Sequence, residues 1–109
     1  MIQVTMIRNQ DGKYTGFDCV GHAGYADDGK DIVCAGVSAL VINTVNSIDR
    51  YTDEKFTVDT DENTGKITLY LHRPAGHDAE LLLKSLALGL QGIQEQYKDG
   101  YIRFQIKEV

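Results

Sequence analysis

The 109-residue sequence predicts an α+β fold, a two-layer sandwich of a mostly antiparallel five-stranded sheet with two helices in the order β-β-α-β-β-α-β. Three observations carry that prediction. Five short segments alternate apolar and polar residues, giving each strand one face to bury and one to leave in water. Two longer segments repeat apolar residues at helical spacing, as helices buried along one side do. Glycine- and proline-containing turns separate them, at Asp11-Gly12, Thr64-Gly65, Pro74-Ala75-Gly76 and Asp99-Gly100. A sheet with one apolar face needs a cover, and two amphipathic helices supply it.

In chain order, Ile2, Val4 and Met6 alternate with Gln3, Thr5 and Ile7 as a first strand. Asn9 to Lys13 is a turn, since Asp11-Gly12 offers the positive φ that a tight hairpin uses. Tyr14 to Val20 is the second strand, with Phe17 and Cys19 on one face, which makes Cys19 a core thiol. A helix follows from about Ile32 to Arg50, with Val33, Val37, Leu40, Val41 and Ile48 on its buried side and Asp31 as its N-cap. Lys55 to Asp59 is a third strand through Phe56 and Val58, and Glu62-Asn63-Thr64-Gly65 turns the chain back. Lys66 to His72 sends Ile67, Leu69 and Leu71 inward and Thr68, Tyr70 and His72 outward. A second helix opens at His77 or Asp78 and buries Leu82, Leu83, Leu86, Leu90, Ile93 and Tyr97, with Gly100 just past its end. Tyr101 to Lys107 closes the sheet, turning Ile102, Phe104 and Ile106 inward. The whole chain, 1–109, reads as a single domain with no repeat, linker or low-complexity segment.

Composition narrows the function. The net charge is −5, with 16 acidic against 11 basic residues, which disfavours direct nucleic-acid binding and suits a basic protein partner. The N-terminus lacks a basic leader, and the longest apolar run is read as too short for a membrane span. A cytoplasmic protein with no membrane partner is expected, and its two cysteines, Cys19 and Cys34, are then free thiols.

The chemistry gathers in Gly21 to Cys34. If Asp31 caps the helix, Cys34 is the third helical residue, within the positive end of the dipole, where a thiolate is favoured. His22 lies twelve residues upstream on a loop with Gly21, Gly24 and Gly29, able to fold back and take the thiol proton. The same residues permit plainer roles, a small core cysteine and a solvated histidine.

Two other ligand chemistries fit less well. Gly24 to Lys30 follows the G-x-x-x-x-G-K pattern of a phosphate loop, but Asp31 stands where Ser or Thr should hold magnesium, and Asp27 and Asp28 would repel phosphates. His22, Asp27, Asp28, Asp31 and Cys34 mix hard and soft ligands without a recognised metal spacing. No metal and no cofactor are expected. His72 and His77 flank the proline turn and read as solvated.

Gly21-His22-Ala23, then Gly29-Lys30-Asp31-Ile32-Val33-Cys34-Ala35, then Val37-Ser38-Ala39-Leu40 resembles the signature of the bacterial ribosomal-processing cysteine proteases, the Prp family. The motif is long, nothing in this sequence departs from it, and the likeness extends over essentially the whole chain in length and element order. The resemblance implies a catalytic dyad of His22 and Cys34, with Gly21, Asp31 and Ser38 in the same motif. It also implies a homodimer whose substrate is the N-terminal extension of ribosomal large-subunit protein twenty-seven. On that reading Cys34 is the nucleophile and His22 the base and later the acid. Asp31 is a candidate to orient the imidazole, although capping the helix competes for the same carboxylate. The Ser38 hydroxyl, one turn after Cys34, faces the thiol or bonds back to the Cys34 carbonyl. Backbone amides near Cys34 would stabilise the oxyanion. Tyr25 is a loop residue available to substrate, and the loop is expected to order on substrate binding. Two non-proteolytic readings stand beside this one: a ribosome-associated binding module with a structural Cys34, and a thiol redox sensor using Cys34.

Overall fold

A computed structural model describes residues 1–21, 28–97 and 100–109, with the side chains of 28–31 outside that description. It contains β1 (Ile2–Arg8), β2 (Tyr14–Val20), α1 (Asp28–Tyr51), β3 (Phe56–Asp61), β4 (Lys66–Leu71), α2 (His77–Gln96) and β5 (Ile102–Glu108). The element order is the expected one, and the second strand has the expected ends.

The sheet runs β3-β4-β2-β1-β5. Three of its pairings, β1–β2, β2–β4 and β3–β4, are antiparallel, and β1–β5 is parallel. It is therefore mixed, with antiparallel pairs in the majority. The parallel edge follows from connectivity. Both β4 and β5 run in the same direction as β1, so α2 is a crossover returning the chain to the end of the sheet it left. By the same count α1 is the crossover from β2 to the parallel β3, with β4 inserted between them. Each helix thus closes a split β-α-β unit, which places helical cover over the apolar face.

The core lies between the layers. Ile2, Val4, Met6, Phe17, Cys19, Leu69 and Ile102 point from the sheet, Val33, Val37, Val41 and Ile48 from α1, and Ala79, Leu83, Leu86 and Leu90 from α2. Both expected helical stripes are present, with Leu40, Leu82, Ile93 and Tyr97 half-buried at their margins. The two hairpin turns use the left-handed region at Gly12 and Gly65, as their sequences require. A buried Glu80 also ties the layers together: its Oε2 accepts the Tyr14 N–H at 3.0 Å, and the Tyr14 carbonyl accepts the Ala75 N–H at 2.9 Å. Burial, and then the Glu80 charge, raise the proton affinity of the Tyr14 phenol.

Five expectations need correction. The first helix starts at Asp28, so Asp31 is inside its first turn and not its N-cap. Asp28 and Asp31 both belong to the first turn of the helix. The second helix ends at Gln96, with Tyr97 as its C-cap and the Tyr97 N–H bonded to the Ile93 carbonyl at 2.9 Å; Gly100, although left-handed, lies farther along. Thr68 occupies the helix-free face as expected, yet it is only 1% exposed. It is the inner member of a polar row, Asp59-Thr68-Asp18-Thr5-Gln105, that crosses all five strands. Ile106 is exposed, because β5 is an edge strand running past the limit of the helical cover. Finally, Ile32–Tyr51 is long and apolar enough, by length and composition alone, to cross a membrane. Its apolar stripe is used by the core at Val33, Val37, Val41 and Ile48, while Asn43, Asn46, Asp49 and Arg50 are exposed, as in an amphipathic core helix.

Candidate active site

Cys34 is the seventh residue of α1, not the third. The first four amides of a helix are the ones without intrahelical partners, and the dipole's influence falls off within the first turn. Here those amides belong to Asp28 through Asp31, one turn before the thiol. The helix start therefore offers less direct help to a thiolate than the sequence suggested. Cys34 is half-buried, packed on its inner side against the core. Ser38 is one turn farther along and exposed.

His22, Ala23, Gly24, Tyr25, Ala26 and Asp27 lie outside the described residues, as do the side chains of Asp28 through Asp31. The histidine of the dyad, the Asp31 carboxylate, the Tyr25 contact and most of the residues of the phosphate-loop and mixed-ligand alternatives fall there. Among the described residues no group of three or more His, Cys, Asp or Glu side chains is placed to hold a metal. His72 Nε2 lies 3.0 Å from Thr57 Oγ1, and His77 Nδ1 lies 3.0 Å from Asp78 Oδ1, both on the surface. Two described clefts, of about 380 and 490 Å³, sit at the C-terminal half of α1. Arg50, which lines both, is sixteen residues from Cys34, about 24 Å along the helix.

The strand end that leads to His22 is sharply defined. Gly21 has φ +105°, and its N–H donates to the Thr64 carbonyl in the β3–β4 turn at 3.2 Å. A Cβ at this position would overlap the Met1 carbonyl oxygen. Glycine is thus required twice, for conformation and for space. Gly21→Ala is expected to lower unfolding free energy by about 1 to 3 kcal/mol and to reduce peptidase activity by moving the start of the loop. Chemical denaturation and a cleavage assay on the same preparation check both effects.

Cys19 is the chain's second thiol. Sequence reasoning assigned it to the core, and it is 7% exposed there, paired across the sheet with Val4 and Ile67. Cys34 packs against the buried cluster that contains it. Burial, and then the nearby Cys34 charge, push the Cys19 thiol from 9.0 up to about 11. The strand alternation placed Cys19 on the covered face, and that was the available signal; which helix covers it depends on the fold. The pH consequence has a definite sign. Between about pH 9 and 11 the unfolded chain releases this proton and the folded chain keeps it, so stability falls as pH rises through that window. The full effect is about 2 to 3 kcal/mol, and Cys19→Val is expected to show a shallower alkaline loss in denaturant titrations at stepped pH.

The described part of the site is a half-buried thiol on α1, packed against the core of an α+β sandwich. The comparisons specify it. The family model for cysteine protease Prp matches residues 1–103, so the chain belongs to the Prp family of cysteine proteases. The ribosomal processing cysteine protease Prp of Staphylococcus aureus is 36% identical over 107 residues, covering 98% of this chain and 100% of that one. Its namesake in Bacillus subtilis is 34% identical over 105 residues, covering 91% and 92%. A crystal structure of the S. aureus protease with a covalently linked product peptide superposes with a TM-score of 0.87 at 36% identity, covering 98% of this chain and all of that one. A second, with a substrate peptide, gives 0.89 at 34% identity over the same shares. The chain is a cysteine peptidase of the ribosomal-processing type, and the reading as a non-catalytic module is set aside.

Proposed function

We propose that this peptidase, acting as one domain over 1–109, removes the N-terminal extension of ribosomal large-subunit protein twenty-seven, with Cys34 as nucleophile and His22 as its base. The observation that carries the reading is that a relative 36% identical over 98% of this chain holds a covalently linked product peptide. A covalent product is what a thiol nucleophile leaves behind, and among the described residues Cys34 is the half-buried thiol while Cys19 is enclosed.

The steps follow from ordinary acyl transfer. His22 takes the Cys34 proton, the sulfur adds to the scissile carbonyl, and the resulting imidazolium protonates the departing amine. Water, deprotonated by His22, then hydrolyses the thioester and restores the thiol. Free amides at the start of α1, rather than that of Cys34, are the helix donors available to an oxyanion. Gly21 sets the loop's exit from β2, and Ser38 and Asp31 complete the motif as supporting residues. The chain works without metal or cofactor, in the cytoplasm, where its two thiols stay reduced.

The net charge of −5 supports attraction of a basic ribosomal protein and argues against binding nucleic acid or an anionic membrane surface. The helix-free sheet face, with Ile7 and Val20 half-buried and Tyr70 exposed, supports a homodimer that covers it. Incubating the chain with the extended ribosomal protein and following its mass tests the substrate: loss of one defined N-terminal peptide is expected, and an intact protein would refute the assignment. Sedimentation at micromolar concentration tests the dimer.

A further inference from the structure

We propose that Asp61 is a positioning residue for the peptidase: it shapes the β3–β4 turn so that the Thr64 carbonyl holds the Gly21 peptide, and that peptide directs the chain into His22. The inference rests on the reading of His22 as the base. Asp61 ends β3, far in sequence from the stretch Gly21 to Cys34. Its Oδ1 accepts the Asn63 N–H at 2.9 Å, a carboxylate folded onto the backbone two residues ahead, as tight turns use. Gly65, at φ +68°, completes the reversal before β4. Thr64 stands between them, and its carbonyl is turned toward β2, where it accepts the Gly21 N–H at 3.2 Å.

This bond carries the contact between β2 and β4 past their last register pair, Cys19 and Ile67. On its other side Gly21 meets Met1, and the adjoining Ile2 N–H is tied to the Tyr101 carbonyl at 3.0 Å. Two neighbours thus hold one residue. The Thr64 bond fixes the plane of the Val20–Gly21 peptide, and the Met1 carbonyl closes the opposite side with Gly21 at φ +105°. A rotation there swings everything beyond it, beginning with the next Cα, about 3.8 Å on. A catalytic pair tolerates little of this, since a displacement of about 1 Å is enough to cost about 10²-fold in rate. Cys34 is carried by α1, a separate element packed on the core, so an error at Gly21 is not shared by the thiol. Asp61, Glu62, Asn63 and Thr64 are all exposed, so changing the turn leaves the core intact.

The experiment compares Asp61→Ala with Asp61→Asn, whose amide oxygen can still accept the Asn63 N–H. Each is measured in the wild-type and His22→Ala backgrounds, at a temperature where unfolding curves show every chain folded. Two quantities are read: kcat and KM on the extended ribosomal protein, and the rate of Cys34 alkylation by iodoacetamide at stepped pH, located by peptide mass. Asp61→Ala is expected to lower kcat about tenfold with KM within about twofold, and to move the alkylation profile toward that of His22→Ala. Asp61→Asn should restore both. Gly65→Ala, strained at φ +68°, disturbs the same turn independently and should follow Asp61→Ala. In the His22→Ala background Asp61→Ala should add nothing, because it acts through that imidazole. Wild-type kcat and alkylation in a folded Asp61→Ala chain would overturn the proposal, as would an equal further loss in the His22→Ala background. If His22→Ala alone leaves Cys34 alkylation unchanged, the base assignment fails, and the inference with it. The alkylation arm needs no substrate, so it reads the same whether or not the ribosomal protein is cleaved.

Discussion

Cys34→Ala is expected to abolish peptide-bond cleavage while leaving the fold intact. With the sulfur gone there is no thioester route, and water must attack an amide with only binding and amide donors to help. Loss of kcat by about 10⁴-fold or more is the expected scale, which reads as no product in an endpoint assay. Stability should change little, because Cys34 is only half-buried and truncation removes one sulfur at the margin of the core. Substrate should still bind, so a catalytically dead Cys34→Ala chain is expected to retain affinity for the extended peptide by titration calorimetry. A variant that unfolds would instead make Cys34 a structural residue.

His22→Ala has the second largest effect, about 10² to 10⁴ in kcat. On the proposed assignment the imidazole serves twice, as base toward the thiol and as acid toward the leaving amine, so its removal would expose both steps. The pH profile separates these roles from simple damage. The intact enzyme should show a bell-shaped kcat/KM, with a limb on each side from the two coupled members of the dyad. In His22→Ala the acid limb should disappear, leaving residual activity that rises with pH as hydroxide takes over the proton transfer. An unchanged bell in His22→Ala would point to another base; His72 and His77, with partners 3.0 Å away on the surface, are poor candidates.

Much of this architecture could be read from the chain because the relevant signals are local. Alternation in Ile2–Arg8 and Tyr14–Val20, joined through Gly12, determines a hairpin with few competing solutions. Leu83, Leu86 and Leu90 mark the buried side of α2 in the same way. Signals failed where the outcome depends on distant partners. Asp31 satisfies every local rule for an N-cap, yet the helix begins at Asp28, so Cys34 moves from the third helical position to the seventh. The parallel β1–β5 pair depends on how α2 crosses the sheet, which no strand sequence encodes. Thr68 is polar and placed away from the helices, but a strand bordered on both sides encloses a short β-branched side chain. The burial of Glu80 depends on the Tyr14 N–H, brought to it across 66 positions. The burial of Cys19 is of the same kind: the strand pattern gives the face, and only the packed layers give the cover.

If Cys34 forms the covalent bond to substrate, acid-quench mass spectrometry will capture it. The chain is mixed with the extended ribosomal protein, quenched in the first turnovers, digested and mapped. A thioester joining the N-terminal extension to Cys34 is expected, absent in Cys34→Ala and longer-lived where His22 is replaced. An adduct on Cys19, or cleavage that continues in Cys34→Ala, would contradict it.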